Sequence, residues 1–105
     1  MPSPDFKRSD RISDLIKVEI SNILSFEVKD PRVTGITVLK VELSSDMKKS
    51  FIFFSSDNSF NDLDSEEILV GLEKAKGFIR KKLSKNLNLR RTPEIFFKQE
   101  SYLET

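Results

Sequence analysis

The sequence predicts an α+β fold of one small domain, with elements in the order α-β-β-α-α-β. Two long stretches place apolar residues three and four apart, as on one face of a helix: Ile12 to Leu24, and Ile68 to Leu87. Three short stretches read as strands: Thr37–Leu43, Phe51–Phe54 and Ile95–Lys98. A short polar loop joins the first two strands, which makes them antiparallel. A long helical crossover separates the second from the third, which makes those two parallel. The result is a three-stranded mixed sheet with the second strand in the middle and the helices on one face.

Met1 to Arg8 holds two prolines and reads as a loose arm. The first helix is expected to start near Ser9 or Asp10, either of which can cap the free amides of a first turn. Ile12, Leu15, Ile16, Ile20, Ile23 and Leu24 form its core face. It should stop before Pro31, whose ring disfavours helical geometry at Asp30. Lys29-Asp30-Pro31-Arg32 is then a rigid turn, in which Arg32 caps the helix end or pairs with Asp30. In the first strand, Thr37, Leu39, Val41 and Leu43 alternate with Val38, Lys40 and Glu42. Ser44 to Lys49 is the hairpin loop. Phe51-Ile52-Phe53-Phe54 is apolar at every position, which suits a central strand with both faces at least partly covered. Ser55 to Asn61 is a polar loop with Phe60 tucked against the core.

Asp64-Ser65-Glu66-Glu67 has capping-box spacing, with Asp64 as the cap and Glu67 three residues on. That reading outweighs a metal site or a catalytic carboxylate pair, because no partner base accompanies the acids. The stripe of Ile68, Leu72, Ala75, Ile79, Leu83 and Leu87 then runs without a phase break, yet Gly77 sits inside it. A glycine there is a tolerated defect, a close-packing site or a kink; Gly71 raises the same question. Asn88 is a tolerable left-handed cap. Arg90-Arg91-Thr92-Pro93 turns the chain into the last strand, and 100–105 is a short polar tail. The whole chain, 1–105, is expected to be one domain.

Composition removes several function classes. There is no Cys and no His among the 105 residues. Disulfides, thiolate nucleophiles, imidazole bases and the usual zinc ligands go together. The N-terminus has no apolar segment of a signal peptide, and no apolar run approaches the roughly 20 residues of a membrane span. These features favour the cytoplasm and no membrane. The net charge of +1 conceals a polarised chain. From Ser50 to Glu73 there are six acids and no base; from Lys74 to Arg91 there are eight bases and no acid. A basic helix face is explained by solvation alone or by phosphate binding. Under the second reading Arg80, Lys81 and Lys85 face outward beside Gly77, and Arg90 and Arg91 offer guanidinium forks to phosphates. Lys74 and Lys76 belong to the same run, and Lys7, Arg8 and Arg11 widen the surface at the first helix. Lys81 and Lys85 are also spaced as ordinary solvated residues.

The element order with a basic, glycine-interrupted helical segment resembles the type II KH domain. Lys29-Asp30-Pro31-Arg32, Lys74-Ala75-Lys76-Gly77-Phe78-Ile79-Arg80 and Leu89-Arg90-Arg91-Thr92-Pro93-Glu94-Ile95-Phe96-Phe97 narrow this. In that order and at that spacing they resemble the ribosome-binding factor A family, over roughly residues 6 to 101. The resemblance implies a KH-like fold with an Ala-x-Gly kink at Ala75, Lys76 and Gly77 between the second and third helices. It implies a non-enzymatic assembly factor without cofactor or metal. Such a factor binds the free, immature 30S subunit and its 16S rRNA, promotes late subunit maturation and processing of the 16S rRNA 5′ end, and supports growth in the cold. A monomer is implied, with other 30S assembly factors such as GTPases as further partners. The Gly-x-x-Gly loop of ordinary KH domains is absent, which favours recognition of folded rRNA by shape and charge over gripping of a single strand. Gln99 stands where many members of that family carry Asp. A protein-interaction module using the acidic and basic faces is the alternative; a small enzyme has no residues to carry it.

Overall fold

The computed structural model describes residues 4–33, 35–56 and 65–100. Two helices pack on one face of a three-stranded sheet. Helix α1 spans Pro4–Asn22 and continues into a wider π-helical turn over Ile23–Glu27, closed by the Val28 N–H donating to the Ile23 carbonyl at 3.0 Å. A 3-10 turn at Pro31–Val33 leads to β1, Ile36–Leu43. Strand β2 is Lys49–Ser56, helix α2 is Ser65–Leu87 and strand β3 is Glu94–Gln99. The sheet order is β1-β2-β3, with β1 antiparallel and β3 parallel to the central β2. That is the expected sheet, with the Phe-rich strand in the middle.

The core is a single apolar cluster between the helices and the sheet. Helix α1 contributes Ile16 and Ile20, and the π turn Ile23 and Leu24. Helix α2 contributes Ile68, Leu72, Ile79 and Leu83. The sheet contributes Val38, Val41, Ile52, Phe54, Ile95 and Phe97. Phe54 and Phe97 meet edge to face, ring centres 6.2 Å apart. Buried Ser50 donates its hydroxyl hydrogen to the Glu94 carbonyl at 2.9 Å, so its burial leaves no polar atom unsatisfied. Gln99 closes the sheet's far end by donating to Ser56 Oγ at 3.0 Å.

Several expectations are corrected. Helix α1 begins at Pro4, so residues 4–8 are not a loose arm and Ser9 and Asp10 lie inside the helix. Proline is well suited to the first turn, where its missing N–H costs nothing and its fixed φ is already helical. Leu15 is 48% exposed and does not belong to the core face. In β1 the alternation slips at a bulge between Val38 and Lys40. Leu39 is the extra residue there, so Val38 and Val41 both point inward, opposite Phe54 and Ile52. Phe51 and Phe53 face away from the helices and are half-buried. Phe51 stacks on Phe96 at 5.4 Å, and the Lys40 ammonium lies 4.7 Å from the centre of the Phe53 ring.

The largest correction concerns Ala75-Lys76-Gly77. Helix α2 runs unbroken through these residues, so the order is α-β-β-α-β and no break divides two helices. One glycine weakens a helix interior by about 1 kcal/mol. The continuous stripe of Ile68, Leu72, Ile79 and Leu83, each 0–3% exposed, outweighs that several times over. Asn88, at φ 52°, ends the helix in the expected left-handed conformation. Asp64 and Phe60, assigned to a helix cap and a tucked ring, lie outside the described residues, as does the tail 101–105.

Candidate nucleic-acid interface

Cations from four separate parts of the chain line one cleft of about 740 Å³ at an end of the domain. Arg8 comes from α1, Lys48 from the β1–β2 hairpin, Arg80 from α2, and Arg90 and Arg91 from the connection between α2 and β3. Ile12, Met47, Leu89 and Pro93 supply apolar wall between the charges.

Each part is held in place locally. Ser44 and Asp46 build the hairpin. The Ser44 hydroxyl donates to Asp46 Oδ1 at 2.7 Å, and the same oxygen accepts the Lys48 N–H at 3.0 Å. The Lys49 N–H donates back to Ser44 Oγ at 3.0 Å. Met47 takes the left-handed φ of 61° that this tight loop requires. The Ser44 hydroxyl and then the Lys48 amide hold the Asp46 carboxyl below its ordinary value. Asp46 therefore stays ionised beside the cleft, but its charge is engaged by the loop. The Glu94 N–H donates to the Lys48 carbonyl at 2.8 Å, tying the start of β3 to the hairpin. Arg80 Nη2 donates to the Thr92 carbonyl at 3.1 Å, fixing α2 to the connection that carries Arg90 and Arg91.

Of the cations expected from the sequence, the cleft thus gathers Arg8, Arg80, Arg90 and Arg91. Arg11 is exposed on α1 outside it. At 100° per residue, Lys74, Lys81 and Lys85 lie on the opposite flank of α2 from Lys76 and Arg80. All three are exposed. Lys76 is committed within the protein: its ammonium is 2.8 Å from Glu73 and 5.6 Å from the centre of the Phe96 ring. Lys82 is likewise bound, 3.0 Å from the Glu27 carboxylate. The Lys7 side chain lies outside the described residues. Lys48 is the cation that sequence reasoning missed. The basic pair Lys48-Lys49 was visible as charge, but its place beside Arg80 follows only from the hairpin meeting β3.

Arg32 is structural. Its Nη2 lies 2.7 Å from Asp30 Oδ2, its Nε donates to Oδ1 at 3.0 Å, and its backbone N–H reaches Oδ1 at 2.9 Å. The side-chain and then the backbone hydrogen bonds from Arg32 lower the Asp30 pKa from 3.8 to about 2. Among the described residues, no group of three or more acidic, His or Cys side chains is placed to hold a metal ion, and no helix is long and apolar enough to cross a membrane. The geometry gathers five cations around an open cleft that Asp46 and Glu94 also line, and such a concentration of positive charge suits the oxygens of a phosphate backbone.

Known proteins agree on one assignment. The family model described as ribosome-binding factor A matches residues 8–105. The ribosome-binding factor A of Syntrophus aciditrophicus is 47% identical over 96 residues, covering 91% of this chain and 76% of that protein. The crystal structure of ribosome-binding factor A from Thermus thermophilus superposes with a TM-score of 0.75 at 22% identity, over 87% of this chain and 94% of that one. A homology model of the Thermus thermophilus ribosome binding factor A, fitted into an electron-microscopy map of a 30S complex, superposes with a TM-score of 0.62, also at 22% identity, over 86% and 97% of the two chains. Sequence identity across nearly the whole chain and the shared two-layer fold lead to one conclusion: the chain belongs to the ribosome-binding factor A family.

Proposed function

We propose that this chain is a non-enzymatic assembly factor that binds the immature 30S subunit through its 16S rRNA, as a monomeric single domain in the cytoplasm. There it promotes late maturation of the subunit and processing of the 16S rRNA 5′ end, with greatest effect in the cold. The observation that carries this reading is the convergence of Arg8, Lys48, Arg80, Arg90 and Arg91 on one cleft. The homology model of the Thermus thermophilus relative, fitted into the map of a 30S complex, supports it. The cations grip phosphates; they read the shape of a folded backbone, not its sequence. Lys81 and Lys85 add exposed charge on the far flank of α2.

Co-sedimentation with mature and immature small subunits across a salt series tests the proposal. With about five phosphates neutralised, log affinity should fall against log salt with a slope of roughly −3.5 to −4.5. Each of Arg90→Glu and Arg91→Glu should weaken binding and flatten the slope by about one. Absence of binding to either subunit would reject the assignment. Mapping of 16S rRNA 5′ ends in cells depleted of the protein at low temperature tests the processing role.

One observation favours a second reading as a protein-interaction module. Leu15, Val18 and Phe26 are 48%, 59% and 78% exposed along α1 and its π turn. If they dock on a protein, Val18→Asp should abolish subunit binding while leaving affinity for free rRNA unchanged.

A further inference from the structure

Phe78 leaves 42% of its surface exposed on the outer side of α2 and does nothing for the core, which Ile79 and Leu83 complete without it. It is ringed by lysines. Lys74 lies one helical turn before it, and Lys81 and Lys82 one turn after. The Lys82 ammonium stands 5.6 Å from the ring centre, and its ion pair with Glu27 closes that side. Between the ring and the chain leading into β1 lies a shallow hollow of about 310 Å³, walled also by Val28, Lys29, Lys74 and Ala75. Two acids border it, and both are engaged: Glu27 by Lys82, and Asp30 by Arg32 at 2.7 Å. What faces solvent is an aromatic ring beside the exposed residues Lys29 and Lys74, the latter also within electrostatic reach of Asp30.

We propose that this hollow takes one unpaired nucleotide of single-stranded RNA. Its base stacks on Phe78, Lys29 and Lys74 hold the flanking phosphates, and Lys81 meets the next one. The inference rests on the rRNA-binding reading above, but it adds a different kind of contact. The cleft meets backbone, whereas a paired A-form helix offers no open base face to a ring. An aromatic side chain among cations is the arrangement that binds single strands, with stacking that tolerates any base. An acidic peptide would satisfy the lysines but would need an aromatic residue placed over the ring, whereas every nucleotide carries a flat base beside its phosphate. The site also gives Lys74 and Lys81, which stand apart from the cleft, a shared ligand.

The chain contains no tryptophan, so Phe78→Trp places a single fluorescent reporter in the hollow. Hexaadenylate should quench it saturably, and an abasic ribose-phosphate of equal length should bind at least tenfold more weakly without quenching. Phe78→Ala should keep its circular dichroism and lose hexaadenylate affinity by roughly five- to 150-fold, and Phe78→Tyr should restore it. Equal binding by Phe78→Ala and the native protein, or equal quenching by the abasic strand, would overturn the proposal. So would undiminished RNA affinity combined with lost subunit binding, which would assign Phe78 to a protein contact. Co-sedimentation of the native protein with the 30S subunit reports separately on the parent reading.

Discussion

A methyl group added at Gly71 would lie 3.0 Å from the Arg32 Cβ and 3.2 Å from a Val33 methyl, whereas one added at Gly77 meets nothing within 4 Å. Gly71 is buried where α2 crosses the 3-10 turn, so it is the close-packing glycine. Gly77 is exposed within an unbroken helix. Gly77→Ala should therefore raise stability by roughly 0.5–1 kcal/mol in urea unfolding. Gly71→Ala, which gains the same propensity but crowds that turn, should come out about 1–3 kcal/mol less stable than Gly77→Ala. If Gly77→Ala instead weakens rRNA binding without gaining stability, a functional bend at that residue returns to consideration. Asp30 supplies a pH test at the same scale. Its folded pKa, about 2, is below the ordinary 3.8. Its stabilising pairing with Arg32 is thus complete above about pH 4 and lost as the pH falls toward 2. Asp30→Asn should unfold at lower urea than the native protein at pH 6, with the gap shrinking toward pH 2. A gap that stays constant would show that the carboxylate charge is not what stabilises the turn.

At the scale of elements, periodicity was legible wherever one face of an element meets the core without interruption. That held for the order of strands, the hairpin, the central place of β2 and the apolar stripe of α2. It failed where a local irregularity shifts the phase. Leu39 bulges out of β1; Ile23 and Leu24 were read on the core face and are buried there, but the widened turn that carries them was not foreseen. Simple counting cannot register an extra residue in a strand or a widened helical turn, because both preserve composition. The helix start was missed because Ser9 and Asp10 resemble a cap, while Pro4 already sits in helical geometry. The break into two helices was over-read because glycine's small local cost was weighed without the packing beneath the helix. Leu15 and Leu83 make the difference measurable, since both fall on apolar stripes by sequence spacing. Leu83→Ala, at 0% exposure, should cost about 2–5 kcal/mol, while Leu15→Ala, at 48%, should cost under about 1 kcal/mol.

At the scale of the whole molecule, the basic character of 74–91 was legible but the cleft was not. Arg8, Lys48 and Arg80 are far apart in sequence and meet only because β3 pairs in parallel with β2 and brings its preceding turn against the hairpin. Charge patterns report that a polyanion is a plausible partner. Which cations share a site is a property of topology. The same limit applies to Lys76, whose ion pair with Glu73 and place beside Phe96 remove it from the obvious phosphate ligands.

The parallel pairing of β2 with β3 also imposes an order in time. Strands β1 and β2 are joined by a short loop and close locally, but β3 must wait until all of α2 has been threaded between, a far longer loop to close. Substitutions in β3 such as Ile95→Val should therefore speed unfolding and barely slow folding, giving φ-values near zero, while Ile52→Val in the hairpin should slow folding. Glu94 anchors β3 to the Lys48 carbonyl, so a chain whose last strand is undocked does not yet possess an assembled cleft. On the function proposed above, competence to grip a phosphate backbone then depends on the docking of β3.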